Sequence, residues 1–182
     1  MASGKEPQMV EHITINRAPV LTLWGVVVAE RLGYDRAEAL SLGKCLAGLN
    51  AQSKGRSLGM YGPPKEAKRE RVRKAGLGKV SWVEVCGRSL PVLKTQAGLR
   101  AVTQDKPIGP EGVQRYLEQK FGGQLPAVRQ AMTKLARSLQ PADLKEHAYS
   151  LYLKFRPEIP KGRAGWGAKG ELNLELIRSL SH

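Results

Sequence analysis

A mainly α-helical protein carrying a small β-hairpin, an α+β helical bundle, is the fold class that this sequence predicts. Three observations predict it. Apolar residues recur at helical spacing in both halves of the chain. One stretch, residues 80–93, is instead rich in strand formers around a Cys86-Gly87-Arg88-Ser89 turn. The chain of 182 residues is 41% hydrophobic, enough to bury a real core, and only 5% aromatic, so aliphatic side chains fill that core.

The elements follow in order. A first helix is predicted over residues 19–32, with Pro19 at its start and Gly33 at its end. Val20, Leu21, Leu23, Trp24, Val26, Val27 and Val28 lie all round it, which makes it a central buried helix. Asp35 is the N-cap of a second helix, in which Ala39, Leu42, Leu46 and Leu49 keep helical spacing. Gly43 and Ala47 add a small-residue strip where another helix can approach closely. Residues 50–64, rich in Gly, Ser and Pro, read as a linker, and 65–74 as a charged helix or solvated arm broken by Gly76 and Gly78. In the hairpin that follows, Pro91 points to an edge position, and residues 96–109 read as a loop. The C-terminal half is helical. Val113, Tyr116, Leu117 and Phe121 mark one helix, Val128, Met132, Leu135 and Leu139 a second, and Leu144, Ala148, Leu151 and Phe155 a third that starts at Pro141. Leu172, Leu176, Ile177 and Leu180 mark a short closing helix. Residues 1–64 are read as a helical pair with a basic loop, 65–78 as a basic arm or linker, and 79–182 as hairpin plus helices. One compact domain overall is the alternative. The first eight residues, and His12 after them, are read as a tail.

Charge carries the functional expectation. Thirty Lys and Arg face sixteen Asp and Glu, a formal net charge of +14. Half of that excess lies in residues 50–79, where Lys54, Arg56, Lys65, Lys68, Arg69, Arg71, Arg73, Lys74 and Lys79 meet only Glu66 and Glu70. Residues 154–170 repeat the bias, with Lys154, Arg156, Lys161, Arg163 and Lys169 against Glu158. Clustered basicity points to a polyanionic partner, most often nucleic acid. Lys54, Arg56, Lys68, Arg69, Arg71 and Arg73 are the expected phosphate contacts, with small residues around Lys54 and Arg56 allowing close backbone approach.

Residues 117–135, LEQKFGGQLPAVRQAMTKL, have the pattern of a helix-turn-helix. Gly122 permits the turn; Leu117, Phe121, Val128, Met132 and Leu135 bury the helix pair. Arg129, Gln130, Thr133 and Lys134 then face a groove, where Arg reads guanine or phosphate and Gln reads adenine. This stretch resembles the local motif of GntR-type regulators, and the resemblance implies a helix-turn-helix or winged-helix-like C-terminal half. The sequence departs from that pattern at Glu118, where a small residue is usual, and no strand–wing–strand follows Leu139. An ordinary αα-corner fits the same residues. A second stretch, Ala29 to Leu42, has similar spacing and would expose Arg36, Ser41 and Lys44, with a core αα-hairpin as its alternative.

Residues 162–170, GRAGWGAKG, form a basic glycine loop in which Arg163, Trp166 and Lys169 would grip and stack on nucleic acid, unless Trp166 packs back onto the core. The loop formally contains a dinucleotide fingerprint, but only twelve residues follow and no strand precedes it, so that reading is excluded. No Cys or His pairs stand at metal spacing, and His147 flanks an apolar helix face. The expectation is therefore a protein without cofactor, metal or catalytic residues: a duplex-DNA-binding regulator or architectural protein, cytoplasmic and nucleoid-associated, with no membrane partner. RNA binding and the docking of an acidic protein are the alternatives. A homodimer is left open, since no heptad or swap element proves one.

Overall fold

The fold is built around a helix with no polar side. A computed structural model describes residues 12–53, 80–103, 106–159 and 169–181 of the chain. Strand β1 (His12–Asn16) leads directly into α1 (Arg17–Arg31), in which every residue from Pro19 to Ala29 is buried. A helix apolar on all sides needs cover on all sides. It ends as its glycine predicts: Gly33 has a φ of +114°, and the Tyr34 N–H donates back to the Ala29 carbonyl at 3.1 Å.

Helix α2 (Arg36–Ser53) supplies the closest cover. It starts in a capping box: Asp35 Oδ1 accepts from the Glu38 N–H at 2.8 Å, and Glu38 Oε1 accepts from the Asp35 N–H at 3.1 Å. Gly25 of α1 and Gly43 of α2 face each other, and a Cβ added at Gly43 would lie 2.4 Å from the Thr22 carbonyl oxygen. The small-residue strip is the α1–α2 contact. Helix α2 also runs through residues 50–53, which the sequence placed in a linker. Asn50 is buried there and its Oδ1 accepts from the Tyr149 hydroxyl at 3.3 Å, so a tertiary contact extends the helix. The rest of that linker, and the arm over 65–78, lie outside the described residues.

The hairpin is part of a larger antiparallel sheet, ordered β2 (Val80–Val85), β3 (Arg88–Thr95), β4 (Gly98–Thr103) and β5 (Lys106–Pro107). Its first turn is narrower than the four residues expected: Cys86 and Gly87 alone connect the strands, both with positive φ, +52° and +78°. Pro91 lies in the central strand β3 but at a local edge position, as expected: it faces Trp82 of β2 and lies outside the β3–β4 register, which begins at Val92↔Ala101. One expectation is corrected here. Residues 96–109 are not simply a loop but contain β4 and β5. The turn into β4 is held by Thr95, whose Oγ1 accepts from the Ala97 N–H and donates to the Gly98 carbonyl, with Gly98 at a φ of +118°. Helix α2 is bonded to β4. The Ala101 N–H donates to Ser41 Oγ at 3.0 Å, and the Leu99 N–H to Glu38 Oε2 at 3.2 Å. Ser41 is thus fully buried rather than exposed on a reading helix, and Ala29 to Leu42 is a core αα-hairpin.

The remaining helices are α3 (Pro110–Phe121), a short 3-10 turn (Gly122–Gln124), α4 (Leu125–Arg137) and α5 (Pro141–Phe155). Trp24 pins α1 to α5: its indole N–H donates to the Ala148 carbonyl at 2.9 Å, and its ring meets Phe155 edge-on at 5.2 Å. On α5 Leu144, Ala148, Tyr152 and Phe155 are fully buried, while Leu151 is half-buried. Strand β6 (Lys169–Asn173) pairs antiparallel with β1, matching Ile13 to Leu172 and Ile15 to Gly170, and leads into α6 (Leu174–Leu180). Leu172 therefore belongs to a strand, and His12 stands in β1 rather than in a tail. Side chains from both sides of residues 54–79 join one core, from Ile15 and Leu42 to Leu90, Met132 and Ile177. Among the described residues no helix is long and apolar enough to cross a membrane.

Gly43→Ala should destabilise the fold by about 1–3 kcal/mol, because its Cβ meets backbone rather than a flexible side chain. Gly48→Ala, exposed on the same helix with nothing within 4 Å, should instead be neutral or stabilising. Urea unfolding of the two variants checks the pair; equal midpoints would refute the close helix contact.

Candidate nucleic-acid interface

Helix α4 follows the tight turn that its glycines allow. Gly122 has a φ of +57° and a ψ of −138°. Before the turn, Val113, Leu117 and Phe121 bury one face of α3; after it, Val128, Ala131, Met132, Leu135 and Ala136 bury one face of α4. That face rests chiefly on α1 and α6, with only a light touch on α3. The opposite face of α4 presents Gln130, Lys134 and Arg137, all exposed and spaced by four and three residues on one side of the helix. Helix α4 contains no Asp or Glu.

Arg129 goes elsewhere. Its guanidinium turns onto Glu30 at the end of α1, with Nη2 at 2.5 Å from Oε1. The other carboxylate oxygen takes Arg36, Nε to Oε2 at 2.7 Å. One carboxylate therefore bridges α1, α2 and α4. Arg129 and Glu30 are both mostly covered, at 21% and 27% side-chain exposure, so this is a partly desolvated charge-assisted bond. Thr133, also expected to face the groove, is half-buried at the α1–α4 seam. Arg137, which the sequence reading passed over, completes the outward stripe. Its signal was available: a basic residue in the last turn of an acid-free helix, three positions after Lys134.

The structure thus brings Arg129, Gln130 and Lys134 together on α4 but splits them between two faces. Lys169 stands on another element, exposed at the start of β6 opposite Asn16. Lys54, Arg56, Lys68, Arg69, Arg71, Arg73, Arg163 and Trp166 lie outside the described residues. His147 is exposed on α5. Not every cation is available to a partner: Arg100 is 8% exposed, and its guanidinium donates back to the Leu99 and Ala97 carbonyls of its own turn.

A further basic pair joins α2 to α3. Lys44 Nζ sits 3.8 Å above the centroid of the Tyr116 ring, and Lys120 Nζ lies 6.0 Å from the same centroid. Burial, and secondarily the Lys120 ammonium, holds Lys44 below its ordinary value, while burial pushes Tyr116 up. The sequence placed Lys44 with Arg36 and Ser41 on the exposed face of a would-be recognition helix; its pairing with Lys120 across two helices has no local signature. Both cysteines are buried, and burial pushes the Cys86 thiol up, which disfavours the reactive thiolate. Among the described residues no group of His, Cys, Asp or Glu is arranged to hold a metal ion. No known protein family matches the chain, and neither do curated proteins or solved structures.

The depressed Lys44 value has a sign. With its folded-state pKa below the ordinary 10.5, the folded protein holds fewer protons than the unfolded chain between the two values, so stability rises with pH through that window and the gain is complete above 10.5. Tyr116, raised from 10.0, acts in the opposite direction at higher pH. The difference in urea midpoint between the wild type and Lys44→Met isolates the lysine. It should move in favour of the wild type as pH rises toward 10.5, and a flat difference would refute the assignment.

Glu30→Gln should cost about 1.5–3 kcal/mol, the range for charge-assisted hydrogen bonds, because it leaves Arg129 and Arg36 without their anion. A double-mutant cycle with Arg129→Gln measures the coupling, and strict additivity of the two substitutions would refute it.

Proposed function

We propose that this protein binds duplex DNA, with α4 as the helix that enters the major groove, in the manner of a regulator or small architectural protein. The observation that carries this reading is the exposed, acid-free stripe of Gln130, Lys134 and Arg137 on α4, in a chain of net charge +14. The chemistry suits base edges. A glutamine amide pairs bidentately with adenine N6 and N7, and Lys or Arg donates to guanine O6 and N7. Helix α4 is packed on α1 and α6, which sets the angle at which these side chains are offered. In this reading α3, the glycine turn and α4 form a helix-turn-helix in which α1 and α6 do most of the supporting. The basic segments around Lys54 to Arg73 and Arg163 to Lys169 supply the phosphate contacts, because their excess charge has few acids to neutralise it.

Binding is measured by fluorescence anisotropy over a salt series with duplex DNA, single-stranded DNA and RNA. Duplex DNA should bind tightest, with log affinity falling linearly against log salt. Lys134→Ala and Arg137→Ala should each reduce the slope by about 1 where the side chain meets a phosphate. Gln130→Ala should relax discrimination at one base pair by about 1–3 kcal/mol. Absence of binding to all three at low salt would sink the proposal; preference for RNA would replace the partner.

A further inference from the structure

A cavity of about 190 Å³ lies at the seam of α1 and α4, lined by Val27, Glu30 and Arg31 from one helix and Thr133, Ala136 and Arg137 from the other. It falls below the roughly 300–1,000 Å³ of pockets for drug-sized ligands. A single small oxyanion with a few waters is the ligand class that suits it. The charge around it is unbalanced. Both oxygens of Glu30 are engaged, one by Arg129 and the other by Arg36. Arg31 uses one terminal nitrogen on the Leu139 carbonyl, at 2.9 Å, while its Nε–H is buried without an acceptor among the described residues. Among these residues no carboxylate pairs with Arg137, and Thr133 adds a hydroxyl. Val27 and Ala136 make the remaining wall apolar, which strengthens each electrostatic contact.

We propose that this cavity is a binding site for a phosphate monoester or free phosphate. Arg31 and Arg137 supply the guanidinium donors and Thr133 the hydroxyl. Glu30 decides which oxyanion is accepted. A carboxylate is acceptor-only, so it disfavours a fully deprotonated anion but accepts from the P–O–H that inorganic phosphate keeps at neutral pH and that a monoester holds below its second pKa of about 6. Sulfate and the phosphodiester of a nucleic-acid backbone carry no such proton. The site shares Arg137 with the outer face of α4 and differs from it by Glu30, so its ligand is a small phosphorylated molecule or phosphate itself, in a form that holds a proton, rather than the backbone of a duplex.

The test is calorimetric titration of the full chain at constant ionic strength and about pH 5.5, where phosphate and a monoester both hold a P–O–H, with inorganic phosphate, a simple alkyl phosphate monoester, sulfate and dimethyl phosphate. Phosphate should bind at one site per chain, with sulfate and dimethyl phosphate weaker by about tenfold, the equivalent of one charge-assisted hydrogen bond. The monoester binding as well as phosphate identifies a phosphorylated metabolite as an acceptable ligand; phosphate alone restricts the site to the free ion, and both outcomes uphold it. Arg137→Gln and Thr133→Val should each weaken phosphate by about fivefold or more, while Lys94→Gln, the same loss of charge on β3, should leave it within about twofold. Equal affinity for sulfate and phosphate, or equal loss in Lys94→Gln and Arg137→Gln, would overturn the proposal, since either marks a generic basic surface. Duplex DNA in a parallel titration separates the two readings. Phosphate binding without duplex binding upholds the cavity and removes the reading of α4, and the converse overturns the cavity alone.

Discussion

The rest of the molecule depends on the burial of α1. Eleven consecutive residues without exposed surface leave no side on which this helix can meet water. Helix α2 covers one side at the distance that Gly25 and Gly43 allow, α4 covers another, and α5 closes a third through the Trp24 bond to Ala148. The charges of α1 are consequently confined to its ends. Arg17 stands at the start and donates to the Pro157 carbonyl; Glu30 and Arg31 stand in the last turn. Whatever electrostatic chemistry α1 has must happen there, beside the start of α2 and the second half of α4.

That confinement explains the arrangement of arginines. An acid in the last turn of a helix faces the negative end of the helix dipole, so Glu30 is poorly placed for α1 alone. Arg36 and Arg129 reverse the balance, each taking one oxygen. Arg31 is favoured by the same dipole and reaches across to the Leu139 carbonyl just beyond the end of α4, where orphaned acceptors accumulate. The α1–α4 seam is thus held by apolar packing along its length and by an arginine-rich node at one end. Because Arg129 and Thr133 belong to the seam, the solvent face of α4 is left to Gln130 and Lys134, with the exposed Arg137 at the border between that face and the seam.

Long periodic elements were legible in the sequence because their signals are local. Pro19 and Gly33 bracket α1 to within two residues, Asp35 caps α2, and the apolar sets of α3, α4 and α5 name their buried faces. The failures share a different cause. Strands β1 and β6 are five residues each and exist by pairing with each other across most of the chain, so neither announces itself alone. Strand β4 was hidden by Arg100, a charged residue in a buried position whose guanidinium is satisfied within its own turn. Ser41 read as a surface residue, yet it is the acceptor that ties α2 to β4. Helical spacing placed Arg129 with Gln130 and Lys134 on one face of α4, but could not show that Glu30 draws it to the α1–α4 seam.

Charge in this protein is therefore sorted by what surrounds it. Arg100 is spent on its own turn, Arg129 and Arg36 on one carboxylate, and Lys44 shares an aromatic ring with Lys120. A count of basic residues treats these as equal to Lys134, which stands exposed on an acid-free helix. They differ in the anion they suit. An exposed stripe with no acid nearby favours an extended polyanion, whose phosphates carry no proton and meet no repulsion there. A small seam with a carboxylate in its wall favours an oxyanion that still holds a proton, because only that form turns the carboxylate from a repulsive neighbour into an acceptor. The two faces of α4 thus differ less in their amount of positive charge than in the presence of Glu30 on one of them, and that single acid decides which protonation state of an anion each face suits.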